Sequence, residues 1–270
     1  MSWKKPGGKD YKRMKKPLIF IGNDDGIDAK GLHTLIALMK PYGRLLVAVP
    51  ETGQSGQSQA LTIGPPLTLT RVHNEPDLEI YTCNGTPVDA VKLAMHLVMK
   101  EKPVLFVSGI NHGSNSSISA FYSGTVGTAI EAHFHDIPAI AFSITTHNPD
   151  ADFAIARHYL PAIVEPVLHH AVQPPVCLNV NFPAIAPEQA KGIRLCRQAN
   201  GYWQEEFEEH TNEYGQTVYT MLGEFHNNEP AAEDTDEWAL AHHYISVVPI
   251  TKDSTDYTAL NHLKNITFHG

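Results

Sequence analysis

Short apolar runs alternate with helix-period patterns over the first two-thirds of the chain. Leu18-Ile19-Phe20-Ile21 is a continuous apolar run of strand length and reads as a strand buried on both faces. Between Ala29 and Met39, the residues Leu32, Leu35, Ile36 and Met39 recur at helical spacing and form one apolar face. Leu45 to Val49 is a second β-rich run, closed by Pro50. Thr86-Pro87-Val88-Asp89 is a helix start, with Thr as the cap, Pro at the first helical position and Asp three residues after the cap. Val88, Val91, Met95 and Val98 mark the buried face of the helix that follows. Val104–Val107, Ala139–Phe142 and Cys177–Val180 supply further strands. Strand, helix, strand in this order means βαβ units: an α/β fold with a mostly parallel sheet and helices on both faces. Such sheets bind ligands at the carboxyl ends of their strands. Chemistry is therefore expected at three junctions, Gly22–Gly26, Pro50–Ser58 and Ser108–Asn115.

The pattern changes further on. Ala151 to Ala171 has helical spacing but holds Pro161 and Pro166, which predicts a kinked or broken helix. Ile193–Cys196 and Thr217–Leu222 read as strands of an extended hairpin, separated by the acidic, aromatic segment Gly201–Glu209. Asn227–Asp236 is polar and loop-like, Tyr244–Ile250 returns to strand, and Tyr257–Leu263 reads as a terminal helix. An isolated hairpin is only marginally stable in water, so this one is expected to serve as an arm against another subunit. The chain thus divides into a basic tail (1–16), a core (17–190) and an extension (191–270) that carries the hairpin and the returning strand.

Composition narrows the class. The 270 residues carry 20 Lys and Arg against 29 Asp and Glu, a formal net charge of −9, which argues against DNA binding through a basic face. A nucleotide substrate stays compatible with that charge, because a bound divalent cation makes a pocket locally cationic. No apolar run approaches the roughly 18–20 residues of a membrane span, and Met1–Lys16 lacks the apolar stretch of a secretory signal. Cys83, Cys177 and Cys196 are widely separated and form no CxxC, so they read as free, buried thiols of a reducing, cytoplasmic compartment.

At the first junction, Gly22-Asn23-Asp24-Asp25-Gly26 sets two adjacent carboxylates directly after a buried strand. Like charges in a cleft repel, and a hard divalent cation with oxygen ligands relieves the repulsion. The bland alternative is a polar turn closed by Asp25-Gly26. At the second junction, Gln54-Ser55-Gly56-Gln57-Ser58 reads by itself as a flexible surface loop; its functional reading is a hydroxyl brought to the same cleft. The third junction leaves a buried strand through Ser108-Gly109-Ile110-Asn111-His112-Gly113-Ser114-Asn115. Tyr122-Ser123-Gly124-Thr125-Val126-Gly127 then opens a helix running to about His133, with Ser123 as its cap. The amides of Gly124 and Thr125, the two hydroxyls and the helix dipole make a site suited to a phosphate, although a plain capped helix has the same sequence. Most of the sixteen histidines carry no metal-ligand spacing and no HExxH occurs; His112, beside Asn111, is the one to test as an acid, a base or a phosphate contact. Walker A, GxGxxG and GxSxG patterns are absent, which argues against a P-loop ATPase, a dinucleotide dehydrogenase and an α/β-hydrolase.

IGNDDG (Ile21–Gly26), SGQS followed by Leu-Thr (Ser55–Thr62), GTPVDAVKLA (Gly85–Ala94), SGINHGSN (Ser108–Asn115) and YSGTVGTAIEA (Tyr122–Ala132) together resemble the SurE survival-protein family in order and spacing. The resemblance continues through LNVNFP, GIRLCRQ and TDEWAL…YISVVPI, and so covers nearly the whole chain after the tail. It implies a Rossmann-like doubly wound core whose C-terminal extension swaps between subunits, giving homodimers or homotetramers. It implies removal of phosphate from nucleoside 5′- and 3′-monophosphates with one divalent metal per subunit, magnesium or manganese. The family's metal ligands fall on Asp24, Asp25, Ser55 and Asn111, with Asp24 and Asp25 also the catalytic pair. Its phosphate and substrate contacts fall on Asn23, Asn115, Ser123, Gly124 and Thr125. There is one departure: many members carry an acid between the second Asn and the SGT motif, whereas Ser116–Phe121 has none. Attack by water or by an aspartate carboxylate is compatible with these residues. Two non-hydrolytic alternatives are a nucleotide-binding regulator and a stress-related interaction protein presenting Gly201–Glu209. Tyr202 and Trp203 suit base stacking and subunit contact equally.

Overall fold

The computed structural model describes residues 16–169 and 175–266. Most of the basic tail and the last residues of the expected helix 151–171 lie outside them. The expected strand at the start is β1 (Leu18–Gly22), and its five residues are all buried. The apolar face at Leu32, Leu35, Ile36 and Met39 folds as α1 (Lys30–Met39), which leads to β2 (Arg44–Pro50). A hairpin not anticipated from the sequence follows: β3 (Leu69–Glu75) and β4 (Leu78–Cys83) pair antiparallel. Next come α2 (Pro87–Leu97), β5 (Leu105–His112), α3 (Gly124–Phe134), β6 (Ala139–Ile144), α4 (Ala154–Leu168) and β7 (Cys177–Phe182). The extension contributes β8 (Ile193–Leu195), β9 (Gly201–Gln204), β10 (Phe207–Thr211), β11 (Thr217–Met221), β12 (Glu224–Asn227), α5 (Asp236–Ala241), β13 (Ile245–Ile250) and α6 (Tyr257–Leu263).

Nine of these strands form one sheet, in the order β3-β4-β2-β1-β5-β6-β7-β13-β8. The block from β4 through β7 is parallel throughout. The chain places β2 on one side of β1 and β5 on the other, so the strand order reverses at β1. A crevice opens at such a reversal, outside the carboxyl ends of the strands. Alternate residues of β1 feed two cores. Ile19 and Ile21 pack with Leu32, Leu35 and Met39 of α1 and with Leu160, Val164 and Val167 of α4. Leu18 and Phe20 pack with Val91 and Ala94 of α2 and with Val126 and Ala129 of α3. Helices cover both faces, which is why the central strands read as unbroken apolar runs rather than alternating ones.

Three expectations change in detail. The buried face of α2 is Val88, Ala90, Val91 and Ala94, while Met95 is half-buried and Val98 lies just past the helix end. Pro161 and Pro166 do not break α4, which runs from Ala154 to Leu168 as one helix. Both prolines sit on its more open side, and Leu160, Ile163, Val164 and Val167 are buried opposite them. That burial offsets the roughly 3 kcal/mol an interior proline costs. Ile193–Cys196 is not a hairpin strand: β8 joins the main sheet parallel to β13. Thr217–Met221 pairs instead with Phe207–Thr211, and Gly201–Gln204 with Glu224–Asn227. The acidic, aromatic segment is thus itself one side of a two-tiered arm. Every residue of β10 and β11 is exposed. Cys83, Cys177 and Cys196 are free and buried.

Candidate functional site

The first junction turns as its sequence requires. Gly26 has φ +88°, in the region that favours glycine, and a Cβ there would stand 2.9 Å from the Thr52 backbone. This close approach brings the loop after β2 against the loop after β1, and the Gln54 N–H donates to the Asp24 carbonyl at 2.7 Å. Ser55 is the next residue and is exposed. The loop is held at three further points. Ser58 N–H donates to the Tyr122 carbonyl at 3.1 Å, Thr62 N–H reaches both oxygens of Asp89 at 3.1 and 3.2 Å, and the Thr86 hydroxyl donates to the Ala60 carbonyl at 2.7 Å. A segment that reads alone as a flexible loop is therefore bonded to the loop after β1, to α2 and to the entrance of α3.

Asp24 is 3% exposed. Its Oδ1 accepts the Thr125 hydroxyl. Burial pushes its carboxyl up to about 6, the repulsion of Asp25 adds to that, and the Thr125 hydroxyl and amide pull it down. Gly124 leaves room for this contact, since a Cβ there would stand 2.8 Å from the Asp24 Cβ and 3.0 Å from its Oδ2. Asp25 is more open. Its Oδ2 accepts the His112 backbone N–H at 3.2 Å and lies 3.3 Å from His112 Nδ1. No Lys or Arg ion-pairs with either aspartate among the described residues, and His112 is the single cationic candidate beside them.

The other expected residues fall around this pair. Asn111 commits its side-chain nitrogen to the carbonyls of His112 and Gly113, at 3.2 and 2.9 Å, leaving the amide oxygen for a cation. Ser123 caps α3, its Oγ accepting the Val126 N–H at 3.1 Å while its own hydrogen stays available to donate. Asn23 is 1% exposed; its nitrogen donates to the Gly26 carbonyl at 2.8 Å, and its oxygen is buried without a partner. Asn115 lies towards the neighbouring strands: its side chain donates to Ser143 Oγ at 2.8 Å, and its backbone is bonded to Asn181 and Asn179. Thr125 differs from expectation. It is fully buried, and its donors are spent on Asp24.

Two carboxylates, an amide oxygen and a hydroxyl are the all-oxygen donors that hard divalent cations take. Among the described residues no group of three or more His, Cys, Asp or Glu side chains is arranged to hold a metal by itself, so the hydroxyl and amide oxygens of Ser55 and Asn111 would have to complete the set. The orphaned Asn23 oxygen and the uncompensated aspartate pair are the observations that fit a cation with its bound water. Two surface cavities lie elsewhere, one beside Leu18, Arg44 and Arg71 and one between α2 and α3, and neither includes these residues.

Two acids of the extension contact the segment Ser116–Phe121, which carries none of its own. Ser116 Oγ donates to Glu237 Oε1, and Asp236 accepts the N–H groups of Ser117 at 2.8 Å and Ala199 at 2.9 Å. Sequence reading did not find these contacts. The signal for them was Thr235-Asp236-Glu237, a capped helix start inside a stretch read as loop, with Thr235 accepting the Trp238 N–H.

Residues 19–205 match the family model described as survival protein SurE. The 5′-nucleotidase SurE of Phocaeicola vulgatus is 45% identical over 253 residues, covering 94% of this chain and 98% of that protein. The 5′-nucleotidase SurE of Cytophaga hutchinsonii is 48% identical over 251 residues, covering 93% and 96%. The crystal structure of the SurE protein from Aquifex aeolicus superposes with a TM-score of 0.78 at 33% identity, covering 92% of this chain and 98% of that one. The doubly wound sheet, the aspartate pair at its reversal point and these full-length matches place the chain in the SurE family.

Proposed function

We infer that the chain is a 5′-nucleotidase, a phosphomonoesterase that hydrolyses nucleoside 5′-monophosphates to nucleoside and phosphate. The observation that carries this reading is the position of Asp24 and Asp25 at the strand-order reversal, with Asp24 directly against the first turn of α3. Near-full-length relatives named 5′-nucleotidase support the reaction. Action on 3′-monophosphates is a further proposal, resting on the family resemblance.

Asp24, Asp25, Ser55 and Asn111 are proposed to hold one divalent cation, magnesium or manganese. Bound there, the cation would neutralise charge on the phosphoryl oxygens. The chain's own residues account for the rest. The Gly124 amide and the Ser123 hydroxyl, at the positive end of α3, would orient the phosphate and stabilise charge developing on it. Asn115, with one amide hydrogen left after Ser143, would add a donor. Asn23 offers a buried acceptor and so fits a partner that donates, such as a water or a ribose hydroxyl, rather than a phosphate oxygen. Thr125 positions Asp24 instead of touching substrate. Water is the proposed nucleophile, since Thr125 and His112 already occupy one oxygen of each aspartate. The exposed apolar residues of the arm and edge, Phe207, Tyr219, Met221 and Leu195, support a homodimer or homotetramer. No helix among the described residues is long and apolar enough to cross a membrane, and the free thiols fit a reducing, cytoplasmic setting.

Phosphate release from a panel of nucleoside monophosphates, with magnesium or manganese and then with EDTA, tests the reading. Release that EDTA abolishes and metal restores is expected. No release under any metal would favour a nucleotide-binding protein without catalysis.

A further inference from the structure

We propose that His112 is the positioning residue for Asp25, fixing which carboxylate oxygen is left for the cation. The inference rests on the metal-site reading above and assigns to one side chain a role that the ligand set leaves open. Asp25 Oδ2 meets His112 twice, through the backbone N–H at 3.2 Å and through ring Nδ1 at 3.3 Å. Two donors on one oxygen fix the carboxylate's rotation and turn Oδ1 to other partners. Among the described residues the ring makes no second hydrogen bond. Its Nε2 is buried without a partner, and its other contact is edge-on packing against Phe153, with ring centroids 5.4 Å apart. A hydrogen on Nδ1 lets the ring donate to the Asp25 carboxylate.

The position also suits this task. His112 ends β5, immediately after the bulge that interrupts pairing with β6 between Ser108 and Asn111. The preceding side chain, Asn111, spends its nitrogen on the His112 and Gly113 carbonyls. Consecutive residues of one strand end therefore present a cation ligand and orient a second ligand from β1. Such bulges re-aim side chains next to active sites.

The test is manganese affinity, read by electron paramagnetic resonance titration of the full chain without substrate. His112→Ala is expected to weaken manganese binding about 10–100-fold, the usual loss when a ligand's orienting partner is removed. His112→Phe keeps the ring against Phe153 but drops the donor, and the same loss is expected, so the test survives if the alanine variant fails to fold. His112→Asn, whose amide branches where the ring does and reaches the Nδ1 position, is expected to restore affinity close to wild type. Wild-type affinity in both His112→Ala and His112→Phe, with binding lost in Asp25→Asn, would overturn the inference while leaving the metal site intact. Wild-type affinity in Asp25→Asn would overturn the metal site, and the inference with it.

Discussion

The Thr125 hydroxyl donates to Asp24 Oδ1, tying the first turn of α3 to the loop that leaves β1. The bond joins an expected phosphate site to the expected metal pair. Thr125→Val keeps the shape and removes the donor. A hydrogen bond to a charged group contributes about 1.5–3 kcal/mol, and a loss of that order is expected by urea denaturation. Turnover is expected to fall through kcat more than through KM, because the substrate contacts remain.

Gly124 tests the same contact from the other side. A methyl group at this position would stand 2.8 Å from the Asp24 Cβ and 3.1 Å from Pro87 Cγ. Gly124→Ala must therefore push Asp24 aside. A displacement near 1 Å at a reacting centre costs on the order of 100-fold in rate. Steady-state kinetics should show that loss, with the circular-dichroism spectrum of the folded chain retained.

Asp89 holds the loop that carries Ser55. Its carboxylate accepts the N–H groups of Thr62 and Thr86 while Thr86 caps α2 in return. Asp89→Ala removes half of a capping box, a change of about 0.5–2 kcal/mol. It also frees the segment between β2 and β3. Limited proteolysis is expected to cut that segment in the variant and spare it in the wild type.

The contacts of α5 give a pH dependence. Burial holds the Glu237 carboxyl above its ordinary range; the Ser116 hydrogen bond opposes this and nearby Asp236 reinforces it. A raised folded value means that folding favours the protonated form. Its contribution to stability is therefore complete below the unfolded value and is lost as pH rises through the folded one. Glu237→Gln does not ionise and keeps an acceptor for Ser116. Relative to this variant, the wild type is expected to lose stability as pH rises from the ordinary carboxylate range through the raised folded value, as read from urea midpoints.

The central strands, and the placement of the candidate residues at their ends, were legible because their signals are local. Ile19 to Ile21 are apolar without interruption, and Thr86-Pro87-Val88-Asp89 spells its own helix start. Asp24, Asp25 and Asn111 lie at strand ends, where a parallel sheet must gather them. The hairpin of β3 and β4 was missed because β3 is an edge strand with mostly exposed, polar residues and carries no apolar run. Continuity of α4 through Pro161 depends on tertiary burial of Leu160 and Val164, which spacing cannot weigh. The partner of β8 is β13, some fifty positions away, so a nearby strand was the better local guess. The role of Thr125 was hidden for a related reason. A threonine at the second position of a helix looks the same in sequence whether its hydroxyl faces a ligand or a carboxylate from another loop.

The most direct test of the proposed site is phosphate release from a nucleoside 5′-monophosphate by Asp24→Asn at saturating manganese, with thermal unfolding in EDTA measured on the same sample. Asparagine can still accept the Thr125 hydrogen bond and carries no buried charge, so the fold should be as stable as wild type or more so. Turnover should be abolished. Near-wild-type turnover by the folded variant would contradict the assignment of Asp24 to the metal and to catalysis.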